Sequence, residues 1–284
     1  MDSEGQMARP SARRGSVLDE GAEPVEGTGT SPAPLPPLLA RRVLICIPGA
    51  WTDEWYDEPG AWWQWCCAFL GWTVEQWQAF AAQWRTATDR RREQLMEMTG
   101  LQFFDWRRVP GGSTRGSVRA AADLLARDLA ALPGDADVTL LGHSKGGNVI
   151  KWLLAARREW GGGPTPARAI LVDAPVDWLR ETIGHWLGLG IERCRFSAVE
   201  CAIPCVTVNN WLDPSGGRLR GARNYQTCVW QDYLTPYPPH GLKGFLARRV
   251  LGDLGALPGV PRAAVPILAH SSSPQDPRSR LSSA

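Results

Sequence analysis

The sequence predicts an α/β domain built on a doubly wound, mainly parallel sheet of six strands. Short apolar runs alternate with helical repeats through the middle of the chain. These runs are nearly continuous in apolar residues, as strands covered on both faces require. One of them, Val138–Leu141, enters Gly142-His143-Ser144-Lys145-Gly146 just before a helical repeat. The chain has 284 residues, 44% of them hydrophobic, enough to bury the core of one such domain. Residues 1–40 are rich in Pro, Gly, Ser and charge, and 257–284 in Pro, Ser and Ala. Neither stretch has an apolar period, so both are expected to be disordered, leaving 41–256 as the folded domain.

The first strand is Val43–Ile47, stopped by Pro48-Gly49, and nothing strand-like precedes Arg42. Residues 51–100 hold eight of the fifteen tryptophans and read as a helical insertion. Trp62, Trp65, Phe69 and Trp72 are spaced for one helical face, and Trp77, Phe80 and Trp84 for another, so two helices are expected. They either pack on the core or form a wall or lid over a site, with Trp51, Trp55, Trp62 and Trp65 as candidates to meet an acyl chain. Aromatic stripes at helical spacing favour the core. Asp89–Glu93 reads as a charged, solvated helix face.

Leu101–Trp106 is the second strand. Ser117 is placed to cap a helix carrying Val118, Ala122, Leu125, Leu129 and Leu132, which stops at Pro133-Gly134. The Val138–Leu141 strand comes next, then a helix from Asn148 to Arg158. A fourth strand, Ala169–Val172, ends in Asp173; Pro204–Asn209 is the fifth and Tyr225–Gln231 the sixth.

Strand, tight turn and helix around Gly-x-Ser-x-Gly put Ser144 on a strained turn with its hydroxyl exposed at a strand's carboxyl end. In this the segment resembles the nucleophile elbow of the α/β-hydrolase superfamily, in its lipase and esterase branch. The resemblance implies a minimal form of that fold and a serine, acid, histidine order along the chain. It also implies an oxyanion site formed by the backbone N–H groups of Ala50 and Lys145. The branch often has His-Gly where this chain has Pro48-Gly49, but a backbone donor does not depend on the preceding side chain.

A serine hydroxyl needs an imidazole to take its proton, and the imidazole needs a carboxylate to fix its tautomer. Four histidines are available. Side-chain alternation directs His143 away from Ser144. His270 lies in the tail, and His185 in the excursion between strands four and five. His240, in Pro238-Pro239-His240-Gly241 after the sixth strand, matches the family's histidine. Asp213, after the fifth strand, stands in the family's usual place for the acid; Asp173, after the fourth, is the alternative.

The activity this implies is esterase or lipase-like hydrolysis of a small-molecule or lipid ester, with neither metal nor organic cofactor. The same triad serves an acyltransferase or thioesterase, and a hydrolase-fold protein that only binds a partner is a third reading. Net charge is +2, with no basic stripe interleaved with aromatics, which argues against nucleic acid or a strongly anionic surface as partner. The seven cysteines contain no C-x-x-C pair, and Cys194, Cys201 and Cys205 fit no common zinc spacing. Free thiols and a reducing, cytoplasmic compartment are expected, although a disulfide among those three stays open. Leu18-Asp19-Glu20 follows Arg13-Arg14 where a twin-arginine signal would need apolar residues. No signal peptide or integral membrane segment is expected. Oligomeric state is not legible.

Overall fold

A computed structural model describes residues 42–156, 163–196, 203–210, 216–227 and 246–257, all within one unit spanning 34–284. Of the arms expected at 1–40 and 257–284, all but Leu257 lie outside the described residues.

Strands β1 (Arg42–Ile47), β2 (Leu101–Phe103), β3 (Asp137–His143), β4 (Arg168–Val172), β5 (Cys205–Asn210) and β6 (Arg223–Thr227) form one sheet. Its order is β2-β1-β3-β4-β5-β6. Every neighbouring pair is parallel, with registers such as Val43↔Val138, Leu140↔Ala169 and Ile170↔Val206. The doubly wound, six-stranded fold expected from the sequence is thus the one found, and it is parallel throughout.

Strand ends differ from expectation for local reasons. β2 stops at Phe103 because the Asp105 carboxylate accepts the Arg107 N–H at 2.9 Å and opens a 3-10 turn, Trp106–Arg108. β6 starts two residues before Tyr225, at Arg223, and among the described residues pairs with β5 alone. An edge strand needs no continuous apolar run, so its polar start went unread. The expected continuation to 231 lies outside the described residues.

The core has two layers, one on each face of the sheet. Val43, Ile45 and Ile47 of β1 point to one face, where they meet helices α5 (Val118–Ala130) and α6 (Lys145–Ala155). Leu44 and Cys46 point to the other, against α1 (Trp63–Leu70), α2 (Val74–Thr86), α3 (Asp89–Thr99) and α8 (Ala247–Asp253). Two further helices among the described residues are α4 (Gly112–Arg115) and α7 (Trp178–Trp186). Ser117 caps α5 as read, accepting the Ala120 N–H at 3.1 Å.

Residues 53–99 hold two 3-10 turns and three α-helices rather than two helices. Both tryptophan stripes face the sheet: Trp62, Trp65 and Trp84 are wholly buried, and Trp72 and Trp77 nearly so. Aromatic side chains of this size cover the sheet face that α5 and α6 leave open. The face expected to be solvated at 89–93 departs at Arg92, which is buried with Nη1 on Asp57 at 2.6 Å and Nε on the Trp84 carbonyl at 3.2 Å.

A parallel sheet gathers its strand ends at one edge, so Pro48–Trp51, Ser144 and Asp173 all leave the sheet on the same side. Cys46, Cys66, Cys67 and Cys194 are free thiols. Among the described residues no helix is long and apolar enough to cross a membrane.

Candidate active site

Between β3 and α6 the backbone turns within one residue. Ser144 has φ 51° and ψ −123°, a left-handed conformation that costs a non-glycine residue about 1–3 kcal/mol and persists only where surroundings enforce it. The enforcement is visible in its glycines. A Cβ on Gly146 would lie 2.0 Å from the Ile47 carbonyl oxygen, and one on Gly142 would lie 2.6 Å from the Gly146 oxygen. The Ser144 N–H donates to the Val172 carbonyl of β4 at 2.9 Å. Ser144 stands at the N-cap of α6, yet its side chain caps no helix amide. The hydroxyl is therefore left for other chemistry, at the positive end of a helix dipole.

Across the site, Gly49 comes so close that a Cβ there would lie 2.7 Å from Ser144 Cβ and 3.2 Å from its Oγ. The turn after it is tied from behind. Trp106 Nε1 donates to the Pro48 carbonyl at 2.8 Å, Thr52 Oγ1 to the Gly49 carbonyl at 2.7 Å, and the Thr52 N–H to Ser113 Oγ at 3.1 Å. Ala50 and Lys145, the two expected oxyanion donors, thus sit in the turns on either side of the serine. Trp51 follows with φ 57° and is 64% exposed.

Lys145 was expected to contribute only its backbone N–H, and its side chain has a destination of its own. Buried over the Trp106 ring, its ammonium donates to the carbonyls of Ser113, Thr114 and Gly116 at 3.0, 3.2 and 2.6 Å. Burial pushes its pKa down to about 8, against smaller raising contributions from Asp53 and Glu192. Asp53 in turn accepts the Ser113 N–H at 2.8 Å. One cation thereby fastens the 112–116 turn to the elbow, and that turn holds the 48–53 loop. No local pattern in the sequence marks this, because the partners lie 29 to 32 residues away.

Replacing Lys145 with Met strips three carbonyls of their shared donor, so Lys145→Met is expected to lower stability by about 2–4 kcal/mol, read from the urea midpoint. The pH dependence has a definite sign. Between about 8 and the ordinary 10.5, the unfolded lysine still holds the proton that the folded one has released. The cost of burying the charge is full below the folded value and is relieved as pH rises through it. The stability difference between wild type and Lys145→Met should therefore grow in the wild type's favour from about pH 7 to about pH 9.5. A flat difference would show that the ammonium is not destabilised by burial.

His143 is buried with its ring stacked on Trp55, centroids 5.5 Å apart, so it faces the aromatic layer. Trp55 is 1% exposed and meets Trp62 edge-on. Of the tryptophans considered for an acyl pocket or lid, Trp55, Trp62 and Trp65 all belong to the buried sheet-covering layer, while Trp51 is exposed in the turn after Gly49. His185 is on α7, its Nδ1 3.1 Å from the Ile191 carbonyl oxygen. Asp173 is fully buried with φ 45°, and its Oδ1 accepts the Asn210 N–H of β5 at 3.0 Å. Asp213, His240 and His270 lie outside the described residues.

No protein-family model matches the chain, and no curated protein matches it. Solved structures do. The thioesterase RedJ of the prodiginine pathway in Streptomyces coelicolor aligns at 14% identity over 79% of this chain and 90% of its own, with a TM-score of 0.41. A YdeN-like hydrolase from Pectobacterium atrosepticum aligns at 15% identity over 74% of this chain and 92% of its own, also at 0.41. Esterase B from Lactobacillus rhamnosis aligns at 10% identity over 75% of this chain and 76% of its own, at 0.39. These likenesses are remote.

Proposed function

We propose that this chain, with the sheet and serine elbow of an α/β-hydrolase fold, is a serine hydrolase that cleaves carboxylic esters through an acyl-enzyme on Ser144. The observation that carries the reading is Ser144 itself: a strained, uncapped serine at a helix N-terminus, with Gly49 packed against it. Strain of this kind is maintained where it positions a reacting group.

In this mechanism Ser144 Oγ adds to the ester carbonyl while His240 takes its proton. The tetrahedral oxygen accepts hydrogen bonds from the N–H groups of Ala50 and Lys145, each worth roughly 3 to 4 kcal/mol. His240 then returns the proton to the departing alcohol. A water, deprotonated by the same imidazole, releases the acid and restores the serine. Asp213 accepts the His240 Nδ1–H and steadies the imidazolium. Strands lie about 4.8 Å apart, so β5 is about 10 Å from β3. A serine–imidazole–carboxylate relay spans about 8 Å, which suits an acid two strands away.

A fluorophosphonate probe and a series of p-nitrophenyl esters of graded acyl length test the reading. The expected outcome is one label, on the peptide containing Ser144, and turnover of at least one ester that labelling abolishes. A chain that is neither labelled nor active across the series is not a serine esterase.

A further inference from the structure

Helix α7 reverses the usual amphipathic arrangement. Its inward residues are Glu181, 2% exposed, and Gly184, while Trp178, Leu179, Ile183, Trp186 and Leu187 stand 66, 57, 47, 87 and 62% exposed. At 100° per residue these five cover one half of the helix circumference. The roll of the helix is fixed from within. Lys151 Nζ donates to Glu181 Oε1 at 2.6 Å and Asn148 Nδ2 donates to the same oxygen at 3.3 Å. Gly184 lies so close to Ile191 that a Cβ would come within 2.6 Å of its Cδ1. Turning the tryptophans inward would break the buried ion pair, so their exposure follows from what the inner face binds.

Charge says what covers this face. All three acidic residues between 174 and 196 are engaged internally. Asp177 pairs with Arg180, Glu181 with Lys151, and Glu192 accepts from Ser117 Oγ at 2.8 Å and the Arg119 N–H at 3.0 Å. Arg193 and Arg195 remain exposed to solvent. With Trp178, Phe196 and the Lys151–Glu181 pair they line a cavity of about 290 Å³. Adjoining the apolar half-helix is therefore a local excess of positive charge that the whole-chain balance conceals.

We propose that the α7 face docks on an anionic phospholipid bilayer. The tryptophans and aliphatic side chains enter the headgroup boundary, and Arg193 and Arg195 pair with lipid phosphates. Tryptophan suits that boundary, since its ring is apolar and its N–H still finds a polar partner. Arginine adds a salt-sensitive attraction to anionic headgroups. The excursion that carries α7 leaves β4 at the edge of the sheet that also carries Ser144. Docking there brings that edge to the lipid, whatever Ser144 does.

The test is co-sedimentation of the full chain with phosphatidylcholine vesicles and with vesicles containing about one third phosphatidylglycerol, at low and high salt. Expected are tighter binding to the anionic vesicles and weakening with salt. Trp178→Ser with Trp186→Ser should lower binding at least about tenfold. Arg193→Glu with Arg195→Glu should remove the preference for anionic lipid. These side chains are exposed, so far-ultraviolet circular dichroism should be unchanged. Ser144→Ala should bind as wild type does, which separates this proposal from the hydrolase reading. Binding to neither vesicle, or binding that the tryptophan pair does not change, overturns it. So does a dimer in sedimentation velocity that the tryptophan substitutions abolish, since a second copy would then be the occupant.

Discussion

Ser144→Ala is expected to lower ester turnover by at least about four orders of magnitude and to abolish fluorophosphonate labelling, with the fold retained. The size of the effect follows from the mechanism: without the hydroxyl no acyl-enzyme forms, and the oxyanion donors act only on uncatalysed attack by water. Retention of the fold follows from the geometry. The Ser144 side chain caps no amide of α6, and the backbone bond from its N–H to Val172 is untouched by the change. The left-handed backbone is as strained for alanine as for serine, so the substitution adds no new cost there. The stability change should stay within about 1 kcal/mol, measured by urea denaturation. Undiminished turnover by the folded variant would remove Ser144 from the mechanism.

The fold was readable where burial on both faces imposes a continuous apolar run. β1, β3, β4 and β5 lie inside the sheet and are buried along nearly their whole length, and their sequences say so. At the edge, the polar Arg223 and Asn224 of β6 carry no such signature. Aromatic spacing marked the helices of the tryptophan-rich segment, but spacing does not tell a face that meets a sheet from one that meets a ligand. The elbow was legible because its glycines are imposed by contacts within five residues or with the neighbouring β1. Lys145 was legible only as the owner of a backbone N–H. The destination of its side chain is set by a turn that local pattern cannot place. The apolar stripe of α7 has helical spacing that ordinarily means core, and only the Lys151–Glu181 pair shows which side faces inward.

The second large effect concerns the acid. A triad carboxylate must accept the histidine Nδ1–H, and asparagine in its place keeps the shape but favours the wrong tautomer, costing about four orders of magnitude in serine proteases. Asp213→Asn is therefore expected to lower turnover by at least about a hundredfold at unchanged fold. Asp173 competes for the role with a strained φ of 45° at the end of β4. Its Oδ1 accepts the Asn210 N–H at 3.0 Å and so ties the end of β4 to the end of β5. Asparagine keeps an oxygen able to accept that bond and tolerates a left-handed backbone. Asp173→Asn should thus cost about 1 kcal/mol of stability, the difference between a charged and a neutral acceptor, with little change in rate. Both variants are to be assayed on one ester, with denaturation midpoints measured alongside. If Asp173→Asn is the inactive variant and Asp213→Asn keeps its rate, the strain at Asp173 serves the histidine, and the acid stands one strand from the nucleophile rather than two.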